Sequence, residues 1–189
     1  MNLKKIIYII ILPTLLLINS CAKDSNFIEY LNTQVYQCDF DNYEDFIFED
    51  KNNDNYTWED DYEDDGHANC IMYNASNYSN KNADDWAFTP NGEIYLEANN
   101  VYNLSFYTKC SDNYYSERIE IKCGQNSSSS SMSINIMEAT TINSESWEKH
   151  ANSFSVTSSG YYYIGFHAVS YAKKRQLFID NIKIIKINK

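Results

Sequence analysis

Apolar and polar residues alternate along most of this chain with the period of two that β-strands require. From Val35 onward, short alternating segments are separated by turn-rich stretches, and helical periodicity is nearly absent. In segment 103–110, for example, every second residue from Leu104 to Cys110 falls on one face. The chain contains about ten such segments, which predicts an all-β fold, a β-sandwich or a jelly roll.

Two neighbouring segments predict a β-hairpin. Segment 103–110 is followed by turn-forming residues at 111–113, and segment 118–123 then alternates again. Cys110 and Cys123 both fall on the apolar faces of these segments. We therefore expect both cysteines to point inward.

The pattern is interrupted at two further places. A run of serines at Ser127–Ser131 predicts an exposed loop. In the last strand, which spans residues 176–187, the alternation breaks near Asp180 and Asn181. A break of this kind predicts a local change of register.

The N-terminus predicts export. Lys4 and Lys5 precede the apolar run Ile6–Ile18, and the small residue Ser20 precedes Cys21. A positive start, a short apolar stretch and a small residue before the cleavage site are typical of a secretory signal peptide. The run of about thirteen residues is too short to span a bilayer core of ~30 Å as a helix. Because a cysteine follows directly, the segment resembles a bacterial lipoprotein signal in which Cys21 is acylated.

The predicted organisation has three parts. Residues 1–20 are the signal peptide, 21–34 are the lipidated cysteine and its tether, and 35–189 form one β-sandwich domain. Lys23–Asp24 resembles the short export tag of many Bacteroidetes lipoproteins, which implies a lipid-anchored protein at the outer membrane or cell surface, exported across the inner membrane. The alternative is an ordinary secretory signal peptide, in which case Cys21 is an additional thiol that is not acylated.

Charge excludes one class of partner. The chain has 26 acidic and 15 basic residues, a net charge of −11 at pH 7. Without Lys4 and Lys5 the remaining 13 basic and 26 acidic residues give −13. Because phosphate binding needs surfaces rich in lysine and arginine, nucleic acid is not expected as a partner. Thirteen acidic residues lie between Asp39 and Asp65, where Lys51 is the one basic residue, and this excess needs solvent, salt or a bound cation.

Four cysteines besides Cys21 leave two alternatives open. An even number in an exported chain permits two disulfides, with three possible connectivities, but the same residues also pack well as buried thiols. No close Cys-x-x-Cys pair occurs, which argues against a structural zinc site. The four are Cys38, Cys70, Cys110 and Cys123.

Several phrases, taken together in their order and spacing, resemble one family. Each phrase alone is weakly specific, and an acidic stretch that leads to Trp58 fits the same pattern. The phrases are Asn82–Pro90, Tyr102–Phe106, Gly160–His167 and Leu177–Ile184. The set resembles the choice-of-anchor J domain, which is related to the cleaved-adhesin modules of gingipains and to MAM-type jelly rolls. This resemblance covers residues 36–187 and implies a non-catalytic β-sandwich used for adhesion or ligand binding at bacterial surfaces.

The same resemblance implies a structural calcium ion. Related jelly rolls hold calcium between the first strand and an aspartate of the last strand, which implies Asp180 here, with Asp39 or Asp41. The residues that end at Asp50 also resemble the first-strand motif, and Asp50 and Asp54 lie in a loop with ligand-like spacing. Calcium takes six to eight oxygen ligands, which such loops supply. The alternative for Asp180 is a carboxylate that hydrogen-bonds backbone amides.

Aromatic residues are the candidates for ligand binding. Sugar rings stack on exposed tryptophan and tyrosine side chains, and Trp58, Tyr114 and Tyr115 are the best candidates for exposed rings. Trp86 is expected in the core, because Phe88 falls on the same face of its strand. The alternative is that the tyrosines merely cover a small sandwich.

Catalysis is not indicated. His67, His150 and His167 lack metal-ligand spacing, and His167 is most simply a structural residue. No Gly-x-Ser-x-Gly motif occurs. The sequence therefore predicts a surface-anchored binding module for a glycan or a surface protein. The alternative is a structural partner in a larger outer-membrane or surface complex, without a small ligand of its own.

Overall fold

Strands account for nearly all of the regular structure. The computed structural model describes residues 32–41, 45–62, 69–74 and 80–188, and the predictions for the signal peptide and for Cys21 lie outside them. Within these residues the chain forms twelve β-strands, one short 3-10 helix at Ser129–Ser131 and no α-helix. The strands are β1 (Thr33–Cys38), β2 (Ile47–Asp50), β3 (Trp58–Tyr62), β4 (Asn69–Asn74), β5 (Asp85–Phe88), β6 (Ile94–Leu96), β7 (Val101–Cys110), β8 (Glu117–Gly124), β9 (Met132–Ile142), β10 (Glu148–Ser155), β11 (Gly160–Ala168) and β12 (Gln176–Ile187).

The strands form two antiparallel sheets. Sheet I has the order β10-β7-β12-β4-β3, and β1 also pairs with β12. Sheet II has the order β2-β5-β11-β8-β9, and β6 also pairs with β11. The prediction of an all-β jelly-roll sandwich is confirmed.

The core lies between the two sheets. Alternate residues of β7, including Leu104 and Phe106, are buried against residues such as Phe166 of β11. The rings of Phe106 and Phe166 meet edge to face, with centroids 5.6 Å apart, and this contact joins sheet I to sheet II. Burial of one such side chain stabilises the fold by roughly 1.5–3 kcal/mol.

The hairpin predicted around residues 111–113 is wrong. β7 pairs with β10 and β12 in sheet I, whereas β8 pairs with β9 and β11 in sheet II. The connection between β7 and β8 therefore crosses from one sheet to the other. Alternation shows that a strand has one buried face, but it does not show which strand lies beside it, and turn residues serve both kinds of connection.

The cysteines follow the alternative of buried thiols. Cys38, Cys70, Cys110 and Cys123 are all buried, and none of them forms a disulfide bond. The inward direction predicted for Cys110 and Cys123 is confirmed. Burial raises the pKa of the Cys123 thiol to about 12, so this sulfur stays protonated and behaves as a small apolar group.

Both predicted interruptions have a structural counterpart. The pairing of β12 with β7 shifts register between Asp180 and Lys183, and Asn181 has a φ of 52°, which confirms the break. The serine run forms the 3-10 helix rather than an open loop. The backbone N–H and the hydroxyl of Ser129 donate hydrogen bonds of 2.9 and 2.8 Å to the carboxylate of Glu49 on β2, which anchors the run.

His150 on β10 is half-buried against the core. Its ring stacks on Phe106 with centroids 5.3 Å apart, and Nε2 lies 2.8 Å from the hydroxyl of the buried Thr108. Burial lowers the pKa of His150, although the charge of Glu148 acts in the opposite direction. The folded state therefore favours the neutral ring.

This environment predicts an acid-sensitive contribution to stability. Because the folded pKa of His150 lies below the unfolded value, its contribution is present above that unfolded value, near 6.5, and is lost as pH falls through the folded pKa. In His150→Gln, an amide replaces the titrating group. Urea unfolding between about pH 7.5 and 5 should show the stability of the wild type falling relative to the variant. A constant difference between the two proteins would contradict this assignment.

Candidate functional site

Trp58 is not an exposed ring, so the prediction of a ligand contact at this position is wrong. It is 1% exposed in the main core, its ring lies 5.7 Å from that of Tyr73, and Nε1 donates a 3.0 Å hydrogen bond to the carbonyl of Asp85. Trp58 is the first residue of β3, which pairs with β4. Its side chain faces the core between the sheets. Because acidic residues follow Trp58 directly, the local sequence does not show that its side chain is buried.

Tyr114 and Tyr115 lie in the loop between β7 and β8, where the sequence predicts exposed rings. Tyr114 is 80% exposed, whereas Tyr115 is half-buried, and the two rings meet edge to face at 4.9 Å. The guanidinium of Arg175, from the loop between β11 and β12, lies 4.9 Å from the centroid of Tyr115. An Nη atom of Arg175 also lies 3.7 Å from the carboxylate of Asp112. The exposure predicted for Tyr114 is confirmed.

A second tyrosine–arginine pair joins β8 to the loop between β11 and β12. The guanidinium of Arg118 lies 5.3 Å from the ring centroid of Tyr171, which is 59% exposed, and donates a 3.3 Å hydrogen bond to its hydroxyl. Arginine that stacks on an aromatic ring leaves the other ring face available to a ligand. We call the set Tyr114, Tyr115, Arg118, Tyr171 and Arg175 the tyrosine–arginine edge.

Buried polar contacts join the start of β8 to the loop between β11 and β12. The carboxylate of Glu117, which is fully buried, accepts a 2.6 Å hydrogen bond from the backbone N–H of Arg175. The backbone N–H of Arg118 donates a 2.8 Å hydrogen bond to the hydroxyl of Ser170. Burial raises the pKa of Glu117, and the hydrogen bonds from Ser170 and Arg175 oppose this effect. These contacts hold the β11–β12 loop against the start of β8.

A cavity of about 310 Å³ adjoins the tyrosine–arginine edge, between the ends of β7 and β12. Phe178 contributes an aromatic ring to the lining, and the ammonium of Lys109 lies 5.1 Å from the centroid of this ring and 5.0 Å from that of Trp147. The other lining groups are mostly polar. The lining residues are Asp61, Met72, Lys109, Cys110, Ser111, Glu145, Gln176 and Phe178.

Backbone contacts connect this cavity to the edge. The N–H of Ser111 donates a 3.1 Å hydrogen bond to the carbonyl of Gln176, and the N–H of Asn113 donates a 3.0 Å hydrogen bond to the Glu145 carboxylate. Asn113 precedes Tyr114 directly, and Gln176 follows Arg175. Residues of the cavity lining and of the edge are therefore neighbours along the chain, and we call the cavity and the edge together the loop-end pocket.

The outer face of sheet II carries a different arrangement. Trp86 stacks on His167 at 3.9 Å, and both are buried, as the sequence predicts for Trp86. His167 lies 2.7 Å from Glu120 through Nδ1 and 2.8 Å from Asp84 through Nε2. Burial alone would raise the pKa of Glu120, but hydrogen bonds from Lys122 and His167 lower it. Because these rings are covered, they are structural groups rather than a stacking surface.

The predicted metal ligands fall into two groups. Asp180 is buried, and its two carboxylate oxygens accept hydrogen bonds of 2.5 and 2.9 Å from the backbone N–H and the side-chain amide of Asn181. Asp39 and Asp41 are exposed. No group of three metal-ligand side chains among the described residues includes any of these three. A cation at Asp180 therefore stays a prediction that this geometry does not favour.

Asp50 and Asp54 are brought together with a third carboxylate, Asp85. One oxygen from each lies within 4.8 Å of the others. Desolvation raises the pKa of Asp85 to about 7, while hydrogen bonds from the Asp84 backbone and from Tyr73 act in the opposite direction. The charges of Asp50 and Asp54 also raise it.

Sequence reasoning missed several members of these sites. Arg175 and Tyr171 both come from the loop between β11 and β12, far from Tyr114 in sequence, so no local pattern joins them to Tyr114. Asp85 stands in an apolar strand beside Trp86, which is a weak signal, because a carboxylate in such a strand needs a partner. His67 lies outside the described residues.

Comparison with known proteins identifies a matching family and several similar structures. A family model described as a carbohydrate binding domain matches residues 32–164. The K3 cleaved adhesin domain of Lys-gingipain from Porphyromonas gingivalis W83 is similar, with a TM-score of 0.65 and 15% identity over 82% of this chain and 98% of that one. The CBM22-1 xylan-binding domain of Xyn10C from Paenibacillus barcinonensis is also similar, with a TM-score of 0.57 and 10% identity over 84% and 97%.

A further similar structure is the CBM22-1–GH10 part of Xyn10B from Clostridium thermocellum, complexed with xylohexaose. It has a TM-score of 0.60 and 13% identity over 84% of this chain and 29% of that one. A comparison with curated proteins gives no match. The described residues contain no helix that is long and apolar enough to cross a membrane.

Proposed function

The chain belongs to the carbohydrate binding domain family, and we propose that it is a non-catalytic module that binds a glycan in the loop-end pocket. The observation that carries this proposal is the combination of a polar cavity of about 310 Å³ with the exposed ring of Tyr114 beside it. A sugar has apolar C–H faces and a rim of hydroxyl groups. It therefore needs aromatic rings and paired hydrogen-bonding groups at one place.

The charges of the pocket favour a neutral glycan. Asp61 and Glu145 accept hydrogen bonds, whereas the ammonium of Lys109 and the amide of Gln176 donate them. Because acidic and basic side chains line the same cavity, they do not create a strong electrostatic field of one sign. Such a field would be needed to select a charged sugar. A neutral polysaccharide of the xylan type, which is named for two of the similar structures, is the first ligand to test.

The exposed apolar residues favour a glycan over a protein partner. A surface that binds protein is expected to show a broad apolar patch. Among the described residues, the large hydrophobic side chains at the surface are Ile47, Tyr95, Tyr114, Tyr161 and Tyr171. Four of these five are tyrosines, whose hydroxyl groups also suit a hydrated sugar ligand.

The experiment compares two pairs of exposed tyrosines in the full chain. The double variant Tyr114→Ala, Tyr115→Ala removes the aromatic pair of the loop-end pocket. Tyr95 and Tyr161 form a matched control, because they are 49% and 57% exposed and meet edge to face at 5.3 Å in the β6–β11 pair. A glycan array that includes xylan identifies the ligand, and titration calorimetry then measures affinity.

The pocket variant should bind about 5- to 150-fold more weakly, because the loss of two ring contacts, each worth about 0.5–1.5 kcal/mol, removes about 1–3 kcal/mol of binding free energy. The control variant Tyr95→Ala, Tyr161→Ala should bind like the wild type. Absence of glycan binding, or an equal loss in both variants, would contradict the proposal.

A further inference from the structure

We propose that the outer face of sheet I holds a second subsite, in which Lys149 and Lys183 bind an acidic unit of the glycan. An acidic unit is a sugar that carries a carboxylate or a sulfate group. This inference rests on the proposed function, because the same glycan occupies the loop-end pocket. Two lysines at one cavity stand out in a chain whose net charge is −11 at pH 7.

A cavity of about 150 Å³ lies between the two lysines. Pockets that enclose a whole small ligand have volumes of about 300–1,000 Å³, so this space suits one unit of a longer chain. The lining combines two ammonium groups with amide, hydroxyl and phenol groups, and among the described residues it includes no carboxylate. The lining residues are Gln37, Ser105, Tyr107, Lys149, Asn181 and Lys183.

Strand pairing places the two lysines on either side of β7. Lys149 of β10 lies opposite Tyr107, and Lys183 of β12 lies opposite Ser105. Ser105 and Tyr107 alternate with the buried Phe106, so they face outward from sheet I. Neighbouring strands are about 4.8 Å apart, so β10 and β12 lie roughly 10 Å from each other across β7. Two long lysine side chains can reach one anion from opposite sides of this gap.

A β-bulge in β12 contributes to the cavity. Between Asp180 and Lys183 the pairing advances by three residues on β12 but by two on β7, so one residue of β12 is extra. Asn181 in this bulge has a φ of 52°, and its side-chain amide donates a 2.9 Å hydrogen bond to the buried carboxylate of Asp180. Bulges redirect side chains and are frequent beside functional sites. Here the bulge places Asn181 and Lys183 in the lining of one cavity.

The second cavity lies on the same face of sheet I as the cavity of the loop-end pocket. Tyr107 lines the second cavity and Lys109 lines the first, and these alternate residues of β7 are about 7 Å apart. The ammonium of Lys149 lies 6.0 Å from the ring centroid of Tyr107, and that of Lys109 lies 5.0 Å from the centroid of Trp147. Two lysine–aromatic pairs therefore follow each other along the sheet, at a distance that a polysaccharide chain spans.

The charges of the two cavities indicate a ligand with both neutral and acidic units. The loop-end cavity combines Asp61 and Glu145 with Lys109, whereas the charged groups that line the second cavity, among the described residues, are lysines. A carboxylate or sulfate between two ammonium groups forms charge-assisted hydrogen bonds, which are stronger than those between neutral groups. A neutral polysaccharide that bears acidic units therefore fits both cavities better than a wholly neutral one.

The test compares two forms of one polysaccharide as ligands of the full chain. One is xylan that carries glucuronic acid side groups, and the other is the same xylan after chemical reduction of its carboxyl groups to alcohols. In titration calorimetry at low salt, the acidic form should bind about tenfold more tightly. High salt should reduce this preference, because it screens contacts between exposed charges. The double variant Lys149→Gln, Lys183→Gln should bind both forms as the wild type binds the reduced form.

The double variant Lys122→Gln, Lys186→Gln is the matched control, because it removes the same charge outside the cavity. Lys122 pairs with Glu120, and Lys186 pairs with Glu97. This control should keep the preference for the acidic form. An equal loss in the two double variants would overturn the proposal, because binding would then follow the net charge of the protein alone.

Two further polysaccharides separate this proposal from the proposed function. Polygalacturonate carries carboxylates and dextran sulfate carries sulfates, so both test the lysines even if neither form of xylan binds. The ligand whose affinity falls in Lys149→Gln, Lys183→Gln and not in the control identifies the acidic group as a carboxylate or a sulfate. If xylan fails and one of these ligands behaves in this way, the loop-end pocket does not bind xylan, and the subsite stands. If no acidic ligand depends on the two lysines, the subsite is wrong, whatever the loop-end pocket binds.

Discussion

Trp58→Ala is expected to lower the free energy of unfolding by about 3–5 kcal/mol, the range for removal of a large aromatic side chain from a core. The indole is 1% exposed and packs on Tyr73, so its removal leaves a cavity between β3 and its neighbours. The change also removes the 3.0 Å hydrogen bond to the carbonyl of Asp85, the first residue of β5. Packing and polar contacts are therefore lost at one point of the core.

Urea unfolding of the full chain measures this effect, with Tyr114→Ala as the control. Tyr114 is 80% exposed, so its replacement should change stability by no more than about 0.5 kcal/mol. If both variants changed stability by similar small amounts, Trp58 would not be a core residue, and the original expectation of an exposed ring would return.

Gly124→Ala is expected to lower the free energy of unfolding by about 3 kcal/mol, at the upper end of the range for overpacking. Gly124 ends β8 and pairs with Met132 of β9. An added Cβ would overlap the carbonyl oxygen of Ser131 and lie 2.7 Å from its carbonyl carbon. Because both are backbone atoms, no change of side-chain rotamer relieves the contact, and the strand or the 3-10 helix must shift.

Gly160→Ala gives a matched comparison at the start of β11. There the nearest atom to an added Cβ is the side-chain nitrogen of Gln125, at 3.4 Å, which is near an ordinary contact and belongs to a flexible side chain. Thermal unfolding should show a clear loss for Gly124→Ala and a much smaller change for Gly160→Ala. Equal effects at the two positions would contradict this prediction, because the backbone between β8 and β9 would then shift to accommodate the added methyl group at little cost.

Only part of the candidate site could be predicted from local sequence. Tyr114 and Tyr115 were found because two large rings in a turn-rich stretch have no core pattern around them. The same reasoning predicts an exposed ring for Trp58, but β3 places this side chain in the core. For Asp50 and Asp54, the spacing within one loop gave a usable signal. The third carboxylate, Asp85, comes from a different strand, and its position in an apolar segment was only a weak signal.

The sequence by itself determined that this protein is an all-β sandwich, because a period of two repeated along the chain can bury apolar residues only between sheets. It also identified the register break at Asp180 and the inward direction of Cys110 and Cys123. The lipid on Cys21, the surface location and the choice-of-anchor J assignment stay predictions.

The tertiary structure alone decided which strands are neighbours and which loops meet. It separated β7 and β8 into different sheets, brought Arg175 onto Tyr115, and placed Asp85 beside Asp50 and Asp54. The physical reason is that alternation specifies which face of a strand is buried, whereas pairing depends on contacts between segments far apart in sequence. A binding site built from several loops is therefore a property of the packed sandwich, and no single segment contains it.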